Sequence, residues 1–139
     1  MDGELNDPEL LQVVKDFLEL GHADTIAIMV HRGAWPLEWT GQILDDERFN
    51  VRLGVSVLFE ELRTRMPGQL NRAIPSLLPL LTSPQPHLRG DAISVLAIIG
   101  TPEALDHIRP MADDPHPQVR EIVADILHQT TVGRVAPIS

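Results

Sequence analysis

Between short punctuations of glycine and proline, apolar residues recur three and four places apart, and no stretch keeps the strict alternation of a half-buried strand. The pattern predicts an all-α chain. Asn6-Asp7-Pro8 reads as a cap followed by a first-turn proline, and Leu10, Leu11, Val14, Phe17 and Leu18 then form one stripe that Gly21 stops. A first helix is expected over about 8–20. A second runs from about Ala23 to His31, with Ile26, Met29 and Val30 on one face, and ends at Gly33. Pro36 opens a third that continues to about Asp46, and the short links make these two antiparallel.

Three later segments superpose without gaps when aligned on Arg52, Arg89 and Arg120. One place before each arginine stand Val51, Leu88 and Val119; three places after stand Val55, Ala92 and Val123. Six places after come Leu58, Val95 and Ile126, and seven after come Phe59, Leu96 and Leu127. These offsets fall on one wide helical face, and a small residue on it lets a neighbouring helix approach closely. The arginines are 37 and 31 residues apart, the length of a helix pair. This is an internal repeat, and one such pair cannot bury its stripe alone, so the units must stack.

Second helices fit between the arginine helices, at about 70–81 (Leu70, Ile74, Leu77, Leu78, Leu81) and about 102–112 (Ala104, Leu105, Ile108, Met111). Thr101-Pro102-Glu103 has the cap, the first-turn proline and the acid that favour a helix start. Pro75, Pro79 and Pro110 fall inside these second helices and should bend or shorten them, because each removes a backbone donor. From about Thr131 the periodic signal ends, and a frayed tail is expected.

Composition narrows the chemistry. The 139 residues make about one domain, and the absence of cysteine removes disulfides, thiolate metal sites and cysteine nucleophiles. Eleven bases against 20 acids give a net charge of −9, unevenly spread: residues 1–49 carry −8, 50–83 carry +2 and 84–139 carry −3. Such a chain is a poor nucleic-acid ligand, since phosphates are bound chiefly by neutralising them. No apolar run is long enough to span a bilayer, so no membrane partner is expected and a cytoplasmic location is.

The segments Leu88-Arg89-Gly90-Asp91-Ala92, then Leu96 and Gly100, and Asp113-Asp114-Pro115-His116-Pro117-Gln118-Val119-Arg120 resemble the HEAT-like repeat of the short bacterial type. The resemblance covers residues 46–129 and is specific for fold, weak for function. It implies a right-handed α-solenoid of antiparallel helix pairs, about three to four units and roughly eight helices, first helices convex and second helices lining a concave groove. Residues 1–20 would be a capping helix, 21–46 a degenerate repeat lacking the arginine, 47–83 and 84–114 full repeats, 115–130 a half repeat and 131–139 the tail. Such stacks mostly bind proteins, so the expected function is a non-catalytic interaction scaffold or assembly factor for a protein or peptide. The alternative that resemblance leaves open is a bilin-lyase-like or metal-dependent hydroxylase-like protein.

The residues argue against chemistry. No two of His22, His31, His87, His107, His116 and His128 stand three or four apart, and none is followed by Glu, unlike the paired His-Glu of HEAT-like hydroxylases; neither metal nor other cofactor is expected. His116, between two prolines, reads as a helix cap. No catalytic residues and no glycine-rich phosphate loop emerge. Arg52, Arg89 and Arg120 are expected to bond turn carboxylates or carbonyls at the joints, with Asp45, Asp46, Asp113 and Asp114 the available acids. Tryptophan and arginine anchor protein interfaces, which makes Trp35, Trp39 and Arg72, with Glu103, Asp106 and His107, the expected concave binding face. Packing under the first helix is the competing role for the two tryptophans. A monomer is expected, or a weak homodimer through apolar stack ends.

Overall fold

A computed structural model describes the backbone of residues 6–135 and the side chains of residues 6–130. Helix α1 (Asp7–Glu19) starts where the Asn6 side chain accepts a bond from the Glu9 amide, with Pro8 in its first turn. It is followed by α2 (Ala23–His31), α3 (Thr40–Leu44), α4 (Phe49–Arg65), α5 (Ile74–Leu77), α6 (Pro86–Ile99), α7 (Pro102–Ile108) and α8 (Pro117–Val135). No strand occurs among the described residues.

The helices form an all-α solenoid of two layers. In the outer layer α2 packs on α4, α4 on α6 and α6 on α8; the inner layer is built from α3, the segment around α5, and α7. The apolar positions found by alignment on the arginines are what the layers bury. Val51, Leu88 and Val119 are buried, as are Val55, Ala92 and Val123, and all of these but Leu88 belong to one continuous core. At the last two positions Leu58, Phe59, Val95 and Leu96 are buried, whereas Ile126 and Leu127 on α8 are only partly covered. The difference follows from position: α8 is the last outer helix among the described residues.

The inner layer departs from simple helices, and proline is the cause. The stretch expected as one helix at 70–81 is a 3₁₀ turn (Leu70–Ala73), the four-residue α5, and a second 3₁₀ turn (Leu78–Thr82). Pro75 and Pro79 each sit in the first turn of a new segment, where a missing N–H costs nothing. Pro110 restarts the chain in the same way after α7, in a 3₁₀ turn at Arg109–Asp113. The expected third helix from Pro36 is likewise split, into a 3₁₀ turn (Leu37–Trp39) and α3, because Pro36 is itself extended. At the C-terminus the backbone corrects an expectation: α8 does not end near Thr131 but runs to Val135. Once a long helix is nucleated, adding residues costs little, even through Gly133. The rest of the expected tail, 136–139, lies outside the described residues.

Two glycines fix how segments meet. Gly100 closes α6 with φ 68°, a left-handed conformation that side chains disfavour. Gly41 on α3 meets α5 backbone to backbone: its amide donates to the Ser76 hydroxyl at 2.8 Å, and no room exists for a Cβ.

Candidate binding face and the joints that hold it

The three repeat arginines stand at the starts of outer helices, and each reaches back to the backbone carbonyl six residues before it. Arg52 donates to the Asp46 carbonyl at 2.9 Å, Arg89 to that of Ser83 at 2.7 Å and Arg120 to that of Asp114 at 2.8 Å. Each guanidinium thus ties down the turn that enters its own helix. Two also cross to the next unit: Arg52 Nε bonds Asp91 at 2.8 Å, and Arg89 grips Asp114 through Nε and Nη2 at 2.8 and 2.9 Å. Asp91 takes the part that a turn acid plays in the next joint, because the turn position there is Ser83. Asp45 and Asp113, equally available on paper, are exposed and make none of these bonds.

Asp114 is the most committed of these acids, with only 6% of its surface exposed. Its Oδ1 also accepts from the His116 amide at 2.9 Å, and the His116 imidazole in turn caps α8 by accepting from the Gln118 amide at 3.1 Å. The Arg89 guanidinium, more than any other group, holds the Asp114 carboxyl below its ordinary range. A further network gathers on Arg48, which spacing did not reveal since this arginine lies four places before the repeat position. It bonds Asp46, Asp16 and Glu19 at 2.8–3.1 Å, and Lys15 joins at 3.4 Å from Asp46. That network pins α1 onto the turn before α4, and Arg48 lowers the Asp46 carboxyl to about 2.

A pH dependence follows. The folded state lowers Asp46 and Asp114 below their ordinary values, so their contribution is complete above about pH 4 and is lost as pH falls toward about 2. Asp91 opposes this weakly, since burial raises it. The thermal midpoint is expected to fall steadily between about pH 4 and pH 2, and less steeply in Asp46→Asn. Parallel melting curves for the two proteins across that range would refute the assignment.

The inner layer carries an open cleft of about 410 Å³ between the start of α1, the end of α2 and the 3₁₀ turns before α3 and α5. Trp35, Trp39, Met66, Gln69 and Arg72 are among its lining residues. Trp39 is half-buried and also borders a second cleft of about 250 Å³ with Leu11 and Gln42, so its ring stands as a wall between two depressions. Arg72 is held by Glu38, Nε at 3.2 Å and Nη2 at 3.1 Å, and this guanidinium lowers the Glu38 carboxyl. The expected face thus gains Glu38, an acid with no sequence signal of its own: its partner lies 34 residues away.

The remaining expected residues divide. Trp35 is only 2% exposed, and its indole Nε1 donates to the Ile26 carbonyl at 3.3 Å. Its place as a contact residue is corrected accordingly: a large ring beside a short turn is better buried with its one donor satisfied than left in water. Glu103, Asp106 and His107 lie on α7, one unit further along, and do not line the cleft with Trp39 and Arg72. Asp106 pairs with Arg109 on its own segment. The two groups are linked indirectly, where the Thr101 hydroxyl bonds Asn71 beside Arg72 at 2.7 Å. Among the described residues no group of three or more His, Asp or Glu is placed to hold a metal ion, and no helix is long and apolar enough to cross a membrane.

Neither the curated proteins nor the solved structures contain a match to this chain. The family model for HEAT repeats does match, over residues 37–127. That span takes in α3 to most of α8, well over half of the chain and all three arginine helices. Repeated arginine joints, two helical layers and this match together place the chain in the HEAT-repeat family.

Proposed function

We propose that the protein is a non-catalytic interaction scaffold that holds a protein or peptide against its inner layer, at the cleft lined by Trp39 and Arg72. HEAT repeats are commonly protein-interaction scaffolds. The observation that carries the reading is the half-buried Trp39 ring between two clefts, with the Arg72–Glu38 pair on the rim. An aromatic wall fixed by its backbone offers apolar area at little entropic cost, and a rim pair offers polar contacts at its edge. Glu103, Asp106 and His107 would extend the same face along α7 for a longer partner.

The experiment is quantitative. A partner captured from the source cell should bind the Trp39→Ala/Arg72→Ala variant at least tenfold more weakly, with the helical content of the variant unchanged. Equal affinity of parent and variant would exclude the cleft as the binding face.

A further inference from the structure

The two clefts that meet at Trp39 share a second lining residue, Asp7 at the start of α1. A carboxylate thus stands where the Trp39 ring divides the clefts. Both groups are unspent. The Trp39 indole N–H makes no hydrogen bond to a described residue, whereas that of Trp35 is satisfied by the Ile26 carbonyl. Asp7 is exposed, and its carboxylate has neither an ion pair nor a hydrogen bond among the described residues.

Charge differs between the clefts. His31 and Arg72 line the larger one but not the smaller, of about 250 Å³, where Asp7 is the one charged group among the described residues, beside Pro8, Leu11 and the exposed Gln42 amide. Arg72 is not free to take an anion. Its Nε and Nη2 lie on Glu38, and its Nη1 donates to the Gln69 side-chain carbonyl at 3.3 Å. Asp7 has no such counter-charge. An aromatic face with a carboxylate beside it attracts a cation twice, through the negative potential of the ring and through the formal charge. An acidic segment would be repelled by Asp7 and would have to break the Arg72–Glu38 pair to find a base. The larger cleft supplies the apolar half of the contact, with Leu10, Val30 and Met66 among its lining residues.

We infer that the partner presents a basic peptide segment, whose lysine or arginine enters the smaller cleft between the Trp39 ring and the Asp7 carboxylate while an apolar neighbour occupies the larger cleft. The open indole N–H donates to a carbonyl of the peptide backbone as it crosses the ring. This rests on the reading of the Trp39 cleft as the binding face and names the chemistry of what binds there.

Selection of random dodecapeptides displayed on phage against the parent chain tests it, each recovered peptide then being titrated in solution by calorimetry. The peptides should carry Lys or Arg close to an apolar residue. They should bind Trp39→Ala about tenfold more weakly and Asp7→Asn about fivefold more weakly, with circular dichroism showing both variants folded. Replacing the basic residue of a peptide by Glu should abolish binding to the parent. In Asp7→Lys the preference should reverse, the Glu-substituted peptide binding better than the basic one. Peptides that lose affinity in Trp39→Ala yet carry no basic residue, or that ignore Asp7→Asn, would overturn this inference and leave the binding face in place. Peptides that bind Trp39→Ala as tightly as the parent, or recovery of none, would overturn the face itself and the inference with it.

Discussion

Gly41→Ala should be the most damaging single-methyl change in this protein. A Cβ built at Gly41 falls 1.8 Å from the Ser76 carbonyl oxygen and 2.5 Å from its carbon. These are backbone atoms of α5, and no rotamer change can move them. To admit the methyl, α3 must lift from α5, which breaks the 2.8 Å bond from the Gly41 amide to the Ser76 hydroxyl. It also opens the buried contact around Ile43, Leu44, Ile74 and Leu77. Overpacking a closed core costs 1–3 kcal/mol and sometimes more, and a clash with backbone belongs at the upper end, about 3 kcal/mol. For a chain of this size that is a fall of about 10 °C in the thermal midpoint. Gly68→Ala is the control, because a Cβ there meets nothing within 4 Å. Differential scanning calorimetry of both variants decides the matter: a Gly41→Ala midpoint within about 2 °C of Gly68→Ala would show that α3 and α5 are not in backbone contact here.

Asp114→Ala is expected to be second, acting through the joint between the α6–α7 unit and α8. The buried carboxylate receives two bonds from Arg89 and one from the His116 amide, while its own carbonyl receives Arg120. Removing it leaves the Arg89 guanidinium, whose side chain is 11% exposed, with only the Ser83 carbonyl. Breaking one partner of a buried pair typically costs 3–5 kcal/mol; partial access of the arginine to water brings the figure here to about 2–3 kcal/mol. Asp91→Ala removes the partner of Arg52 at the preceding joint, but Asp91 is 37% exposed, so its loss should cost under about 1 kcal/mol. Urea unfolding of the two variants compares them directly. Equal losses would mean that the stack does not distinguish a buried joint from an open one. Because each unit leans mainly on its neighbours, Asp114→Ala should also loosen α8 before the rest, visible as faster amide exchange confined to that helix.

Much of this was legible from residue order. A row of side chains buried by stacking has to repeat wherever the stack repeats, so aligning on Arg52, Arg89 and Arg120 recovers the buried rows on α4, α6 and α8. The role of those arginines was legible for the same reason, since each tie to a carbonyl is six residues long. The candidate face was legible only in part. Trp39 and Arg72 do share a cleft, but spacing could not tell an exposed tryptophan from a buried one, and Trp35 is a core residue.

Local order, then, determined which segments are helical, where proline restarts them and which positions need a neighbour, because capping, backbone donors and helical period act over a few residues. Tertiary structure alone decided which acid each arginine takes, that Glu38 meets Arg72, that Arg48 fastens α1, and that Gly41 must lack a side chain. Those outcomes depend on how far apart two chain segments stand after stacking, and tenths of an ångström between helices are set by the packing of every layer beneath them.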